Sequence, residues 1–222
     1  MACQLIDKQR FTELERVLLN PWLPQHAKGT PTMSTALNVV AVSGGAYRPS
    51  RTLVLTEALV AALGERLEFN ARVIELGDIA RPVGGALSRK ELPDDVEAQL
   101  RAIEEADLLV VAAPVYRGSY PGQFKHLFDL IDLNALIDTP VLLAATGGSE
   151  RHALVLDHQL RPLFSFFQAL TLPIGVYASE ADFQDYRITS APLQARIELA
   201  AERAADLLHS TTAGSRPLRK IA

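Results

Sequence analysis

The sequence predicts a doubly wound α/β domain with a five-stranded parallel sheet in the order 2-1-3-4-5. Three observations carry the prediction. Short apolar runs, such as Leu108–Ala113 and Val141–Ala145, read as strands buried on both faces of a parallel sheet. Between such runs lie stretches with apolar residues at helical spacing, and strand–helix alternation repeated along a chain builds this architecture. Right-handed crossovers then favour a sheet that reverses between its first and third strands.

Each element follows in order. Residues 1–35 read as an N-terminal extension, either an upstream misassigned start or an appended segment, with a partner-docking arm as the functional alternative. Phe11, Leu14 and Leu18 suit a short helix that Pro21 and Pro24 would end, and Gly29-Thr30-Pro31-Thr32 has linker composition. The domain is expected over 36–210. Val39–Val42 gives the first strand, and Ser43 to Thr52 gives the loop after it. Leu55, Leu59, Ala62 and Leu63 mark the inner face of the next helix. Phe69–Leu76 alternates like a strand near a sheet edge, and 77–93, with Gly84-Gly85 inside it, reads as a long irregular loop. Pro93-Asp94 starts a helix carrying Val96, Leu100 and Ile103.

The run Leu108–Ala113 is the central strand. Pro114 stops it, Pro121-Gly122 opens a helix, and Phe124, Leu127, Phe128 and Ile131 form that helix's stripe. Val141–Ala145 ends in Thr146-Gly147-Gly148-Ser149-Glu150. A helix over 152–170 is apolar nearly all round, with Pro162 predicting a kink or π-bulge. Its second apolar face, with Phe164 and Phe167, predicts a homodimer or homotetramer. Ile174–Ala178 is the fifth strand, an irregular stretch carries Phe183 and Tyr186, and Leu193, Ile197, Ala200, Ala204 and Leu207 line a closing helix. Residues 211–222 are polar and basic, as in a loose tail.

Composition narrows the function. Lys plus Arg is 22 and Asp plus Glu is 26, a net charge of −4, which is no footprint for nucleic acid or an anionic membrane. Cys3 is the single cysteine, so no internal disulfide or CxxC pair is possible. The 5 histidines form no HExxH or Cys/His group, and no metal site is expected. No apolar run reaches the roughly 18–20 residues of a membrane span, and the start lacks a signal-peptide pattern. A cytoplasmic protein is expected.

Three loops converge at the C-terminal sheet edge in this topology, where open α/β sheets bind ligands. The first, Ser43 to Thr52, reads as an anion cradle. Gly44 and Gly45 permit tight backbone turns, Arg48, Ser50, Arg51 and Thr52 supply donors, and a helix N-terminus follows. It is neither a Walker A loop nor GxGxxG. The bland reading is a Ser/Gly/Pro turn with a cap. The second loop, Pro114-Val115-Tyr116-Arg117-Gly118, and the third, Thr146-Gly147-Gly148, supply a flat slot. No nucleophile–base pair and no acid/base pair of carboxylates accompanies them, so no catalytic side chain is assigned. A phosphate cradle beside a flat slot implies a cofactor that carries the chemistry, and flavin mononucleotide (FMN) fits.

Pro114 to Lys125, continuing to Asp129, resembles the P-x-Y-x-x-S-x-P-G-x-[LF]-K-x-x-x-D signature of the flavodoxin-like NAD(P)H-dependent FMN reductases. The likeness covers about residues 37–180. Val42–Thr52 and Ala144–Gly148 look closest to the reductases of bacterial alkanesulfonate and methanesulfonate use, which serve two-component monooxygenases. The resemblance implies FMN as cofactor, NADPH or NADH as hydride donor, and an FMN-dependent monooxygenase as recipient of reduced flavin. It places the phosphate at Gly45 and Ala46 with Arg48, Ser50 and Thr52, the ring system at Pro114–Gly118, and its pyrimidine end at Thr146–Gly148. Gly45 stands where many relatives have Ser, leaving Arg48 or Arg51 to compensate. His158 replaces a tyrosine that alkanesulfonate-type enzymes place in a π-helical insertion, which leans towards the methanesulfonate type. The alternatives are a flavin-containing quinone, azo or metal-ion reductase and a non-enzymatic electron carrier.

Overall fold

The fold is that of a computed structural model describing residues 36–213, with side chains as far as Ser210. The expected N-terminal extension and all but the first three residues of the expected tail lie outside the described residues.

Seven-residue β1 (Leu37–Ser43) is followed by α1 (Arg51–Gly64), β2 (Phe69–Glu75) and α2 (Leu76–Gly85). Next come α3 (Asp94–Glu104), β3 (Leu108–Pro114), α4 (Gly122–Asp129) and β4 (Pro140–Gly147). A 3-10 turn (Glu150–His152) and a π-helical segment (Leu156–Leu160) lead into α5 (Arg161–Phe166). β5 (Leu170–Thr171), β6 (Val176–Ser179), the hairpin β7 (Phe183–Gln184) and β8 (Arg187–Ile188), and α6 (Ala191–Ala213) complete the domain. The sheet runs β2-β1-β3-β4-β5, all parallel, as predicted.

Successive strand residues feed two cores, as the period of two requires. Val40, Val42, Leu109, Val111, Leu143 and Ala145 pack with α2, α3, α4 and α5. Val39, Ala41, Leu108, Val110, Leu142 and Ala144 pack with α1 and α6. Every residue of β3 is buried, as its unbroken apolar run demands.

Four expectations need correction. The irregular loop expected over 77–93 contains α2, whose Leu76, Ile79, Ala80 and Val83 are buried at i, i+3, i+4 and i+7. Pro82 and three glycines masked that stripe, but Pro82 lies on a helix whose tertiary burial outweighs its poor propensity. The fifth strand is split: β5 and β6 both pair with β4, with Pro173, which has no N–H for a ladder, between them. The helix expected over 152–170 is shorter and composite. Arg161 N–H reaches back to the Leu156 carbonyl, a π-type bond, and Pro162 then sits in the first turn of α5. Phe164 and Phe167 are buried in the chain's own core, and the exposed large apolar groups of this stretch are Leu154, Phe166 and Leu170. The closing helix also extends three residues into the expected tail, to Ala213.

Candidate active site

Parallel register brings the three loops together. Ser43 lies opposite Ala112, and Pro114 opposite Thr146, so β1, β3 and β4 end at one edge. Backbone bonds tie the loops: Gly44 N–H donates to the Ala112 carbonyl at 2.7 Å and Val115 N–H to the Thr146 carbonyl at 2.7 Å. Gly77, at the start of α2, donates to the Gly45 carbonyl at 3.1 Å. A Cβ on Gly44 would come 2.7 Å from the Phe124 ring, so β1 must turn here without a side chain for α4 to pack.

The cleft between these loops takes Gly45, Ser50, Arg51 and Thr52 from the first loop and Pro114, Val115 and Tyr116 from the second. Thr146, Gly147 and Gly148 come from the third. The other predicted residues stand outside the lining. Ser43 is buried within β1. Arg48 is turned to Glu75, whose carboxylate takes its Nε at 2.9 Å and also its Nη2. Arg117 and Gly118 form the tip of a tight turn, with φ of 54° and 84°. Tyr116 and Ser119 close that turn by mutual backbone bonds of 2.7 and 3.2 Å, the geometry of a two-residue primed turn.

The first loop has the chemistry of an anion cradle. Ser50 caps α1, its Oγ accepting the Leu53 N–H at 3.2 Å, which leaves the hydroxyl proton able to donate outward. The first turn of α1 holds no acidic side chain, so its positive end is not internally cancelled. Buried Thr52 and Thr146 share a hydrogen bond of 2.7 Å between their hydroxyls. That bond uses one of the two protons and leaves the other for a ligand. A Cβ on Gly45 would come 2.8 Å from Ser50 Oγ, so the glycine keeps the space beside that hydroxyl open. These donors and this space fit a terminal phosphate of charge about −1.5 to −2.

Behind the third loop stands Tyr177. Its hydroxyl donates to the Ser149 carbonyl at 2.6 Å, and a Cβ on Gly147 would fall 2.1 Å from that hydroxyl. Burial first, then the charges of Glu150 and Asp182, push the Tyr177 phenol above its ordinary range, so it remains a neutral donor. Ser119 Oγ donates to Gln159 Oε1 at 2.9 Å, joining the second loop to the π-helical segment that also contains His158.

Sequence reasoning missed Tyr47, Pro49 and Tyr186, which also line the cleft. Tyr47 lay inside a loop already singled out. Tyr186 had no local signal: it arrives on the β7–β8 hairpin tip, where Asp185 and Tyr186 have φ of 47° and 58°. Among the described residues, no group of three or more His, Cys, Asp or Glu side chains is placed to hold a metal ion. No helix among them is long and apolar enough to cross a membrane.

Residues 37–184 match the sequence model of a family described as NADPH-dependent FMN reductase. The chain belongs to that family. An "NADH-dependent FMN reductase SfnF" of Pseudomonas fluorescens is 75% identical over 190 residues, covering 86% of this chain and 100% of that protein. An "FMN reductase (NADPH)" of Pseudomonas aeruginosa is 71% identical over the same shares. Among solved structures, an oxidoreductase from Corynebacterium diphtheriae is 35% identical with a TM-score of 0.70, covering 80% of this chain and 99% of that one. A structure described as an NADH:FMN oxidoreductase in its apo form is 27% identical with a TM-score of 0.69, covering 78% and 90%. The FMN reductase is thus an oxidoreductase acting between NAD(P)H and FMN, and the electron-carrier alternative is set aside.

Proposed function

We propose that the cleft of the three loops is where this FMN reductase holds flavin, and that reduced FMN then passes to a two-component, sulfonate-type monooxygenase. The observation that carries the site assignment is the open glycine–hydroxyl cradle at the N-terminus of α1, continuous with the backbone-lined slot of the other two loops. Ser50, Thr52 and the first N–H groups of α1 would bind the phosphate, with Arg51 at the rim. Tyr116 and the Pro114–Val115 backbone would support the ring system, and Thr146–Gly148 would meet its polar edge. When bound, the flavin supplies the redox chemistry by accepting hydride from the nicotinamide. The chain's contribution is orientation: it fixes the turn at Arg117–Gly118, the Thr52–Thr146 bond and the Tyr177–Ser149 bond before any ligand arrives. Among the described residues no His, Asp or Glu lines the cleft, so no side chain there is assigned proton transfer.

The similarity in sequence to proteins named as FMN reductases supports transfer of reduced flavin as the end of the reaction. We also propose that the chain assembles as a homodimer or homotetramer through the 152–170 segment, because Leu154 and Phe166 stay exposed there and exposed Leu133, between α4 and β4, lines one groove with Phe166. Steady-state oxidation of NADH and NADPH tests the activity. Turnover should rise severalfold or more on adding FMN, and a simple quinone in its place should be slow. Fast turnover with quinone and slow turnover with FMN would favour a quinone reductase instead.

A further inference from the structure

Both arginines of the cradle loop carry a carboxylate from the same chain, but on different terms. Arg48, 65% exposed, makes two hydrogen bonds to Glu75, whose side chain is only 18% exposed. Arg51 makes one, Nη2 to Glu180 Oε1 at 2.6 Å, between side chains 39% and 59% exposed. A single exposed ion pair is weakly held, whereas a bidentate one with a shielded partner is not. Arg51 is also the one that lines the cleft.

Two features fix this arrangement in place. Glu180 begins a 3-10 turn held by its flanking residues: Ser179 N–H and Oγ both donate to Asp182 Oδ2, at 2.8 and 2.9 Å. Burial opposes ionisation of Asp182, but bonds from Ser190 and Ser179 outweigh it and hold its carboxyl below the usual range. The anchor is therefore charged at neutral pH. On the other side, the Arg51 guanidinium lies 5.6 Å from the centre of the Tyr186 ring, a cation–π contact that keeps it at the cleft rim independently of Glu180.

We propose that Glu180 is an internal competitor for Arg51, which lowers affinity for the phosphate-bearing flavin and speeds its release. A phosphate of about −1.5 to −2 charges would draw Arg51 away from a single carboxylate. It must then displace Glu180 and tolerate that carboxylate near the rim. Both effects weaken binding of a phosphorylated ligand and neither touches an uncharged one. A protein whose product is a departing flavin gains turnover from such a brake on affinity. The inference rests on the flavin phosphate occupying this cleft.

The test is equilibrium binding of oxidised FMN and of riboflavin, which lacks the phosphate, to the full-length protein and its variants. Glu180→Gln should tighten FMN about three- to fivefold, the range of an exposed ion pair, and slow its dissociation. Riboflavin affinity should stay within about twofold, because a merely structural change would move both ligands. The gain should shrink as salt rises, and Glu180→Gln placed on Arg51→Gln should give none. Unchanged or weaker FMN binding, or equal tightening of riboflavin, would overturn the proposal. Ser50→Ala with Thr52→Ala separates the two levels. If that pair weakens FMN while Glu180→Gln does not tighten it, only the competitor role fails. If that pair leaves FMN unchanged, the phosphate site itself is misplaced.

Discussion

Gly147 shows how one missing carbon sets the shape of the slot. The Tyr177 hydroxyl occupies the position a Cβ would take, 2.1 Å away, and from there holds the Ser149 carbonyl. Gly147→Ala must therefore displace either the ring or the third loop. Overpacking of this kind costs about 1–3 kcal/mol, and FMN affinity should fall about tenfold with it. Adding Tyr177→Phe removes the nearest atom and leaves ring carbons at 3.1 and 3.5 Å. The double variant should recover part of the stability lost by Gly147→Ala, read as a thermal midpoint between those of the single variant and the parent. Equal midpoints for Gly147→Ala and the double variant would show that the hydroxyl is not the obstacle. At this scale the sequence was informative where chemistry is local: Ser50, Thr52, Pro114 and Gly147 sit in loops with recognisable composition. It was silent on pairing. That Arg48 turns to Glu75 and Arg51 to Glu180 depends on residues 27 and 129 positions away.

The π-helical segment and α5 form the element where expectation and structure differ most. A continuous apolar pattern from 152 to 170 reads as one helix, with a kink or π-bulge at Pro162. The π-helical segment is present, and its π-type bond resets the register ahead of the proline, which falls in a helix's first turn, where its missing N–H matters less; the continuity of the helix is what differs. The changed register decides which rings face inward. Phe128 packs against Phe164 and Phe167 at centroid distances of 5.0 and 6.5 Å, while Phe166 is left 67% exposed. Exposed Phe166 and Leu133 line a groove that also includes Phe128 and Leu163, with Lys125, Asp129 and His158 among its polar residues, and Leu154 is exposed on the same segment. This is the face assigned to self-association. Light scattering at micromolar protein should give a dimer or tetramer mass. Phe166→Glu should shift it towards monomer, since placing a charge in an apolar interface leaves it unpaired. A monomer for the parent protein would remove the assignment. The missed helix α2 has the opposite lesson. Its stripe is present in the sequence, but Pro82 and the flanking glycines are poor helix formers that obscure it.

Across the whole domain, the fold was legible because a buried parallel sheet leaves a strong imprint. Each central strand is apolar on both faces, and each loop after it must turn into a helix. Strand order then brings distant loops to one edge without any sequence signal linking them. The second half of the sheet was less legible: the expected strand at Ile174–Ala178 is β6, but the two-residue β5 on the other side of Pro173 is too short to stand out. The hairpin that delivers Tyr186 is two residues per strand and equally quiet. The central proposal is that the cleft is a flavin site whose phosphate end is the cradle before α1. The most direct measurement is an FMN titration of Ser50→Ala with Thr52→Ala, both proteins being checked for an unchanged far-ultraviolet circular dichroism spectrum. Each hydrogen bond to a charged group contributes roughly 1.5–3 kcal/mol, so affinity should fall by a factor of ten or more. Riboflavin binding should change far less. An FMN affinity equal to that of the parent protein would contradict the claim.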